Sequence, residues 1–445
     1  MIIARARALN CRRNGPCCAR RSKWSITRKP PRCATPSSAL NPNWKTAPHS
    51  KAAAMVEAWV QNRPPWLSGT GPDAPVVVWS QCNLMRNLAG FFFPAACTHD
   101  EIHAIEERIV TALDSMGMPG AGVYYPLERL DRLDTIFLGE RRLIPFDLVH
   151  GTAQGGVYLA QDLSYAVAIN GADHLCMTAL AGGLELDELW NRLNALDDGL
   201  ADCVDYAFDK RRGYLTSSLG HVGTGLKVSV LLHLPGLVAA NAMAGLVQVA
   251  RQRRHAIHGL KPTVVQALPP DQSSYMSESF FSDLSGALYG DINEAQGDLF
   301  LLTNLSALGA SEEEILFHIR HTAADIVERE RRARQTLLNK ERIQIEDRVA
   351  RALAIAGSAH LMGFTEGLGV LSSIRLGHDL GLAPGCTLDT LNELLLTLQS
   401  AHIKAHIGHD CDEWTLSVER ARLFRTHFAP AQKRMRHRAD TPDKE

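Results

Sequence analysis

The sequence predicts a soluble globular chain with an α/β or α+β core set between helical regions, and three observations carry that expectation. The 445 residues are 45% hydrophobic and 21% charged, enough apolar content for two or three packed domains. Between about Leu148 and Thr303, short β-rich runs alternate with longer helical stretches. Before and after that interval, apolar residues recur at helical spacing.

Taken in order, residues 1–54 read as a disordered basic extension. Met1 to Lys51 holds 12 Lys and Arg and no acid, with four of the ten cysteines (Cys11, Cys17, Cys18, Cys33). In composition it resembles an organellar transit peptide, but Pro30-Pro31 breaks any amphipathic helix, and the expected start of translation is near Met55. Residues 55–147 read as a small helical region, best marked by a capping box at Thr98 and Glu101 ahead of Ile102, Ile105, Ile109 and Leu113 on one face.

The core is expected over 148–335. Its strand candidates are Gly156 to Leu159, Tyr165 to Ile169, Gly213 to Ser217, Lys227 to Leu234 and Asp298 to Thr303, and Asp187 to Phe208 reads as a helix. The uncharged run Val228 to Ala250 has the length of a membrane span, yet His233, Pro235, Asn241 and Gln248 divide it into a buried strand ending near Leu234 and a helix with Pro235 in its first turn. A second box at Ser311 and Glu314 opens a helix with the stripe Ile315, Ile319, Ala323 and Ile326. Helices at Glu346 to Gly357, Thr365 to Ile374 and Leu388 to Gln399 then make a separate helical domain over 336–428, followed by a frayed polar tail, 429–445.

Charge and cysteine usage narrow the function. Beyond Lys51 the chain holds 35 bases against 48 acids, a balance of -13. An acidic body argues against nucleic acid or an anionic membrane as the main partner, since both need a clustered basic footprint. The six remaining cysteines lie scattered, without zinc or disulfide spacing, which fits a reduced, cytoplasmic protein with no metal centre. His409 to Asp412 gathers ligand types, but neighbours in sequence rarely converge on one ion.

Two further segments draw attention as chemistry. Val222-Gly223-Thr224-Gly225-Leu226 reads either as a backbone cradle for phosphate or as a plain tight turn. Asp173-His174, just after a strand, reads either as an acid-base pair or as a structural hydrogen bond.

In order along the chain these segments resemble the ATP:guanido phosphotransferases, and among them the bacterial protein-arginine kinases that mark proteins for a Clp protease. The carriers are Asp205-Tyr206-Ala207-Phe208, Gly213-Tyr214-Leu215-Thr216-Ser217, Val222 to Leu226, Leu232-His233-Leu234-Pro235, Tyr289-Gly290, Glu294-Ala295 and Gly297. Arg375-Leu376-Gly377-His378-Asp379-Leu380-Gly381 and Leu391-Asn392-Glu393-Leu394 belong to the C-terminal domain that sets the protein-arginine kinases apart. The resemblance implies the α+β guanido kinase fold: a mainly antiparallel sheet flanked by helices, then a helical domain that dimerises and reads phosphoarginine.

The family transfers a phosphoryl group from Mg-ATP to a guanidinium nitrogen, gripping phosphate with arginines and orienting the acceptor with carboxylates. Here the family positions are mostly changed. Its Ser-Arg-x-Arg-x-x-Arg-Asn pattern reads Ser80-Gln81-Cys82-Asn83-Leu84-Met85-Arg86-Asn87, with both gripping positions neutral. Asn-Glu-Glu-Asp-His-x-Arg reads Asn170-Gly171-Ala172-Asp173-His174-Leu175-Cys176, so the catalytic glutamate is Ala172 and the arginine Cys176. Lys227 and Gly286 stand for two further arginines, Asp291 for the second carboxylate, and Leu416-Ser417 for the Arg-Asp that opens the phosphoarginine pocket.

Two functions are therefore expected. The first is a pseudokinase, bound as a homodimer to a Clp-type chaperone ATPase, a kinase activator protein or an active paralogue. The second is an active phosphotransferase using Mg-ATP at a site rebuilt from Arg86, Lys210, Arg211, Arg212, Lys227 and His174, with Asp173 or Asp291 orienting the acceptor.

Overall fold

Val77–Arg86 (β1) sorts its side chains by parity, and that sorting organises the molecule. Successive strand residues point to opposite sheet faces. Cys82 and Leu84 enter one apolar layer; Trp79 and Met85 enter others on the reverse face, and between them lie Gln81 and Asn83. The computed structural model describes residues 59–60, 62–116, 122–150, 154–260 and 289–439. The basic extension 1–54 and Gly286 lie outside the described residues.

After β1 come Val123–Pro126 (β2), Gly156–Leu159 (β3), Tyr165–Ile169 (β4) and Leu175–Gly182 (β5), a two-residue hairpin of Phe208–Asp209 (β6) and Gly213–Tyr214 (β7), then Leu226–His233 (β8), His255–Leu260 (β9), Tyr289–Gly290 (β10) and Leu299–Asn304 (β11). Nine of them form one sheet in the order β10-β9-β11-β8-β1-β5-β4-β3-β2, and every pairing is antiparallel. The antiparallel α+β expectation holds. The expectation that 55–147 is only helical needs correction, because β1 lies at the centre of the sheet, between β5 and β8. Its Val-Val-Trp run is buried on both faces, so it lacks the apolar-polar alternation by which a strand announces itself.

Helices His99–Ser115 (α1), Arg132–Glu140 (α2), Phe146–His150 (α3), Leu186–Cys203 (α4), Pro235–Ala239 (α5), Met243–Gln252 (α6) and Glu312–Lys340 (α7) surround the sheet. Both capping boxes form: Thr98 with Glu101 and Ser311 with Glu314 each make the reciprocal pair of side-chain to backbone bonds. Pro235 occupies the first turn of α5, as its missing N–H and fixed φ favour. Helices α1, α4, α6 and α7 cover the face that carries Cys82 and Leu84, in one continuous apolar layer.

The C-terminal helices are Arg342–Ser358 (α8), Phe364–Asp379 (α9), Leu388–Thr397 (α10), Ser400–Ile407 (α11) and Glu413–Ala439 (α12). They hold a core of their own around Val349, Ile374, Leu394 and Phe424. They are not separate from the sheet, however. Leu368 and Leu396 pack on Trp79, Leu231 and Leu301, and Ala401 joins the cluster of Met85 and Cys176, so these helices close both ends of the reverse face. The tail expected from 429 continues as helix to Ala439. No helix among the described residues is long and apolar enough to cross a membrane.

A buried polar joint ties the two parts together. Arg334 on α7 donates from Nε to Glu330 at 2.7 Å, from Nη1 to Asp379 at 2.8 Å and from Nη2 to the His233 carbonyl at 2.7 Å. Glu330 also accepts the Gly236 and Leu237 N–H groups, which would otherwise be orphaned at the start of α5. Arg375 on α9 donates to the Ala74 carbonyl and to Asn392.

Candidate functional site

The register of β1 brings four of the substituted family positions to one place. Asn83 pairs with Thr178 on one side and Lys227 on the other, Gln81 pairs with Leu180 and Ser229, and Met85 pairs with Cys176. Parity puts Gln81, Asn83, Cys176 and Lys227 on the reverse face, between the apolar clusters that the C-terminal helices seal. Asn83 lies 3.9 Å from the Cys176 thiol through its Nδ2. Burial pushes that thiol up to about 12, so it is a neutral group at pH 7. Lys227 is 5% exposed and is the one cation of this set.

Ser80 does not join them. It faces the opposite layer, fully buried, and its hydroxyl donates to the Gly183 carbonyl at 2.6 Å. Arg86 has the same parity as Ser80, and so cannot reach the face that carries Gln81 and Asn83. Its guanidinium forms a bidentate pair with Asp197 (3.0 and 2.7 Å), donates to the Met85 and Thr224 carbonyls and stacks 3.5 Å over the Tyr214 ring. Four of its five N–H donors are taken up inside the fold.

Asp173 and His174 take the structural alternative. One Asp173 oxygen accepts from Asn87 Nδ2 at 2.6 Å and from the Ser217 N–H at 2.7 Å. His174 Nδ1 accepts the Leu88 N–H at 3.0 Å, which places the ring proton on Nε2. Burial lowers this imidazole to about 4, so it stays neutral at pH 7 and brings no positive charge to a phosphate. Lys210, Arg211 and Arg212 are exposed on the β6–β7 turn, where Asp209 accepts the N–H groups of Arg211 and Arg212. Asp291 is exposed and caps the short helical turn at Ile292–Glu294 by accepting from Asn293.

The glycine loop before β8 also turns inward. Gly223 and Gly225 have φ of 120° and 70°, and a Cβ would stand 2.4 Å from the Ala307 carbonyl at the first and 2.5 Å from the Met85 carbonyl at the second. Only glycine fits either position. The N–H groups of Gly223, Thr224, Gly225 and Leu226 donate to Tyr214 O, Ala307 O, His221 O and the Thr224 hydroxyl. The tight-turn reading describes this loop.

In the C-terminal helices Leu416 is 1% exposed, in the first turns of α12, and the Ser417 carbonyl accepts from the Met362 N–H. Arg420, the retained arginine of that pattern, donates to the Leu398 carbonyl, Glu413 and Ser400.

One acid near the site has no signal in the sequence. Asp147, at the start of α3, accepts the Ala172 N–H in a short hydrogen bond across 25 residues of chain. A Cβ on Gly171 would meet the same carboxylate oxygen at 2.6 Å. Burial pushes the carboxyl up. No spacing pattern marks it, because only the fold of the β4–β5 loop brings it to Ala172.

The sheet, the inward loop and the substituted cleft face define a guanido phosphotransferase scaffold. Residues 104–268 match the ATP:guanido phosphotransferase C-terminal catalytic domain, and residues 342–439 match the protein-arginine kinase McsB C-terminal domain. A protein-arginine kinase of Symbiobacterium thermophilum is 32% identical over 82% of this chain and 96% of its own length. One from Pelotomaculum thermopropionicum is 33% identical over 82% of this chain and 95% of its own. Among solved structures, lombricine kinase aligns at a TM-score of 0.45 and 19% identity over 61% of this chain and 71% of that one. The chain belongs to the ATP:guanido phosphotransferases, within the protein-arginine kinase family.

Proposed function

We propose that this family member is a pseudokinase, a cytoplasmic homodimer that acts by binding proteins in Clp-type quality control, with a chaperone ATPase, a kinase activator protein or an active paralogue as partner. The observation that carries this reading is the cleft face itself, where Gln81, Asn83 and Cys176 stand at positions at which the family grips phosphate with arginine. Each charge-assisted hydrogen bond to phosphate contributes about 1.5–3 kcal/mol, so the loss of four cations, Gly286 included, weakens ATP binding by several powers of ten even with strong non-additivity. Backbone amides do not compensate, since those of Gly223 to Leu226 are engaged within the fold. These residues do not fit a triphosphate. By the same resemblance, 148–335 is the kinase-type domain, 55–147 the region that precedes it, and 336–428 the dimerising part.

A second reading, an active phosphotransferase with a rebuilt site, draws on one observation: the Asp147 carboxylate beside Ala172. Calorimetry with Mg-ATP beside a phosphoarginine assay separates the two, on the wild type and on a variant with Gln81→Arg, Asn83→Arg, Ala172→Glu and Cys176→Arg. The pseudokinase reading expects no tight binding and no phosphoarginine from the wild type. A micromolar dissociation constant, about -8 kcal/mol, with product that Asp147→Asn abolishes, establishes the second reading instead.

A further inference from the structure

The first two turns of α1 carry His99 and His103, four residues apart and therefore on one helix face. Both are exposed. Their Nε2 atoms lie 3.1 Å apart, with the rings nearly perpendicular. The far side of each ring has a polar neighbour. His103 Nδ1 faces Glu106 Oε2 at 3.6 Å, and His99 Nδ1 lies 3.5 Å from the side-chain amide of Gln154, whose oxygen and nitrogen exchange by a simple flip. Glu106 is itself held in place by the Tyr124 hydroxyl.

If Nδ1 of each ring carries the proton, directed at Glu106 and at Gln154, then both Nε2 atoms present lone pairs to one another. Two lone pairs at 3.1 Å repel unless positive charge sits between them. One solution is an ordinary hydrogen bond: with the Gln154 amide nitrogen donating to His99 Nδ1, the His99 Nε2–H donates to His103 Nε2. A metal ion is the other: two imidazole nitrogens at about 2.0–2.1 Å from a common ion and 3.1 Å from each other subtend about 98° there, between the square-planar and tetrahedral angles. Carboxylate and amide partners behind ligating histidines are the usual means of fixing the tautomer and orientation. The helix N-terminus disfavours a cation, but Asp100 and Glu101 in the first turn offset that field.

We propose that His99 and His103 form a two-histidine chelate for a first-row divalent transition ion, Cu(II), Ni(II) or Zn(II), oriented by Glu106 and Gln154 and completed by water. Among the described residues no group of three or more His, Cys, Asp and Glu side chains could hold a metal, so the site is open and bidentate. It adjoins the loop that bears Ala172: Asn170 Nδ2 donates to the Ile102 carbonyl in the same turns of α1, and Cys97 lies 3.9 Å from His174. The inference does not depend on whether the chain is a pseudokinase.

The test titrates the full chain with ZnCl2 by calorimetry and with CuSO4 by electron paramagnetic resonance, on the wild type, His99→Ala and His103→Ala. The expected result is one site whose affinity falls about tenfold or more in each variant, because losing either ring turns an intramolecular chelate into single-ligand binding. The copper spectrum should show coupling to two nitrogens that each substitution removes. Metal-free melting temperatures within about 2 °C of the wild type, as expected of exposed side chains, guard against misfolding. Equal stoichiometry and affinity in all three proteins, or a copper spectrum that neither substitution changes, overturns the proposal.

Discussion

The joint at Arg334 and the sheet face at Asn83 treat charge in opposite ways. In the joint, Arg334, Glu330 and Arg375 are all at most 5% exposed, and each is matched by a carboxylate, a carbonyl or a backbone N–H from its own chain. On that face, the four positions that resemble ligand-facing arginines hold two amides, a thiol and only one cation, Lys227. A buried charge persists where the fold supplies its partner, because removing one member leaves the other uncompensated. Where the partner is a ligand, losing the charge leaves the folded chain without a penalty. Arg86 makes the rule concrete: it shares a strand and a family pattern with Gln81 and Asn83, yet it remains an arginine and pairs with Asp197.

The largest expected effect therefore lies in the joint. Glu330→Ala leaves the Arg334 Nε–H and the two amides of α5 buried without their acceptor, and should cost about 3–5 kcal/mol in urea unfolding. Arg86→Ala should fall in the same range, as a structural ion pair would. A cost under about 1 kcal/mol for both would break the comparison at its root.

Next is acid. His174 and His255 are each lowered to about 4 by burial, while unfolded imidazoles titrate near 6.5. Between those values the unfolded chain binds more protons than the folded one, so stability is full above about pH 6.5 and falls as pH falls toward 4. For the fully buried His174 the loss is about 3 kcal/mol. Unfolding free energies at pH 7 and pH 4.5 should differ less in His174→Gln than in the wild type.

Smaller still is the cap of α1. Thr98→Ala should cost about 1 kcal/mol, read from the shift of the denaturant midpoint. The smallest effect belongs to the cleft: Gln81→Arg, at a half-buried position, should change stability by under about 1 kcal/mol. A much larger loss would mean that Gln81 is a packing residue and not a vacated ligand contact.

Much of the fold is legible in the sequence, and the exceptions have definite causes. Thr98, Ser311 and Pro235 act within a turn of themselves, so their helices start where local chemistry says they should. β1 is hidden because a strand buried on both faces loses its alternation. The site divides in the same way. The positions of Gln81, Asn83, Ala172 and Cys176 can be placed from motif spacing, whereas Asp147 cannot, since its partner at Ala172 lies 25 residues away across a loop.

By itself, then, the sequence determined the family, the antiparallel α+β class, the helix starts and the list of altered positions, all of which depend on neighbours in the chain or on motif order. Only the tertiary structure decided which charges are occupied. Parity and register turn Arg86 and Ser80 away from the cleft and bring Gln81, Asn83, Cys176 and Lys227 together on it. Burial makes His174 neutral and ties Asp173 to Asn87 and Ser217. A side chain's protonation and its free donors are set by what packs against it, and those contacts come from strands and helices far apart in the chain.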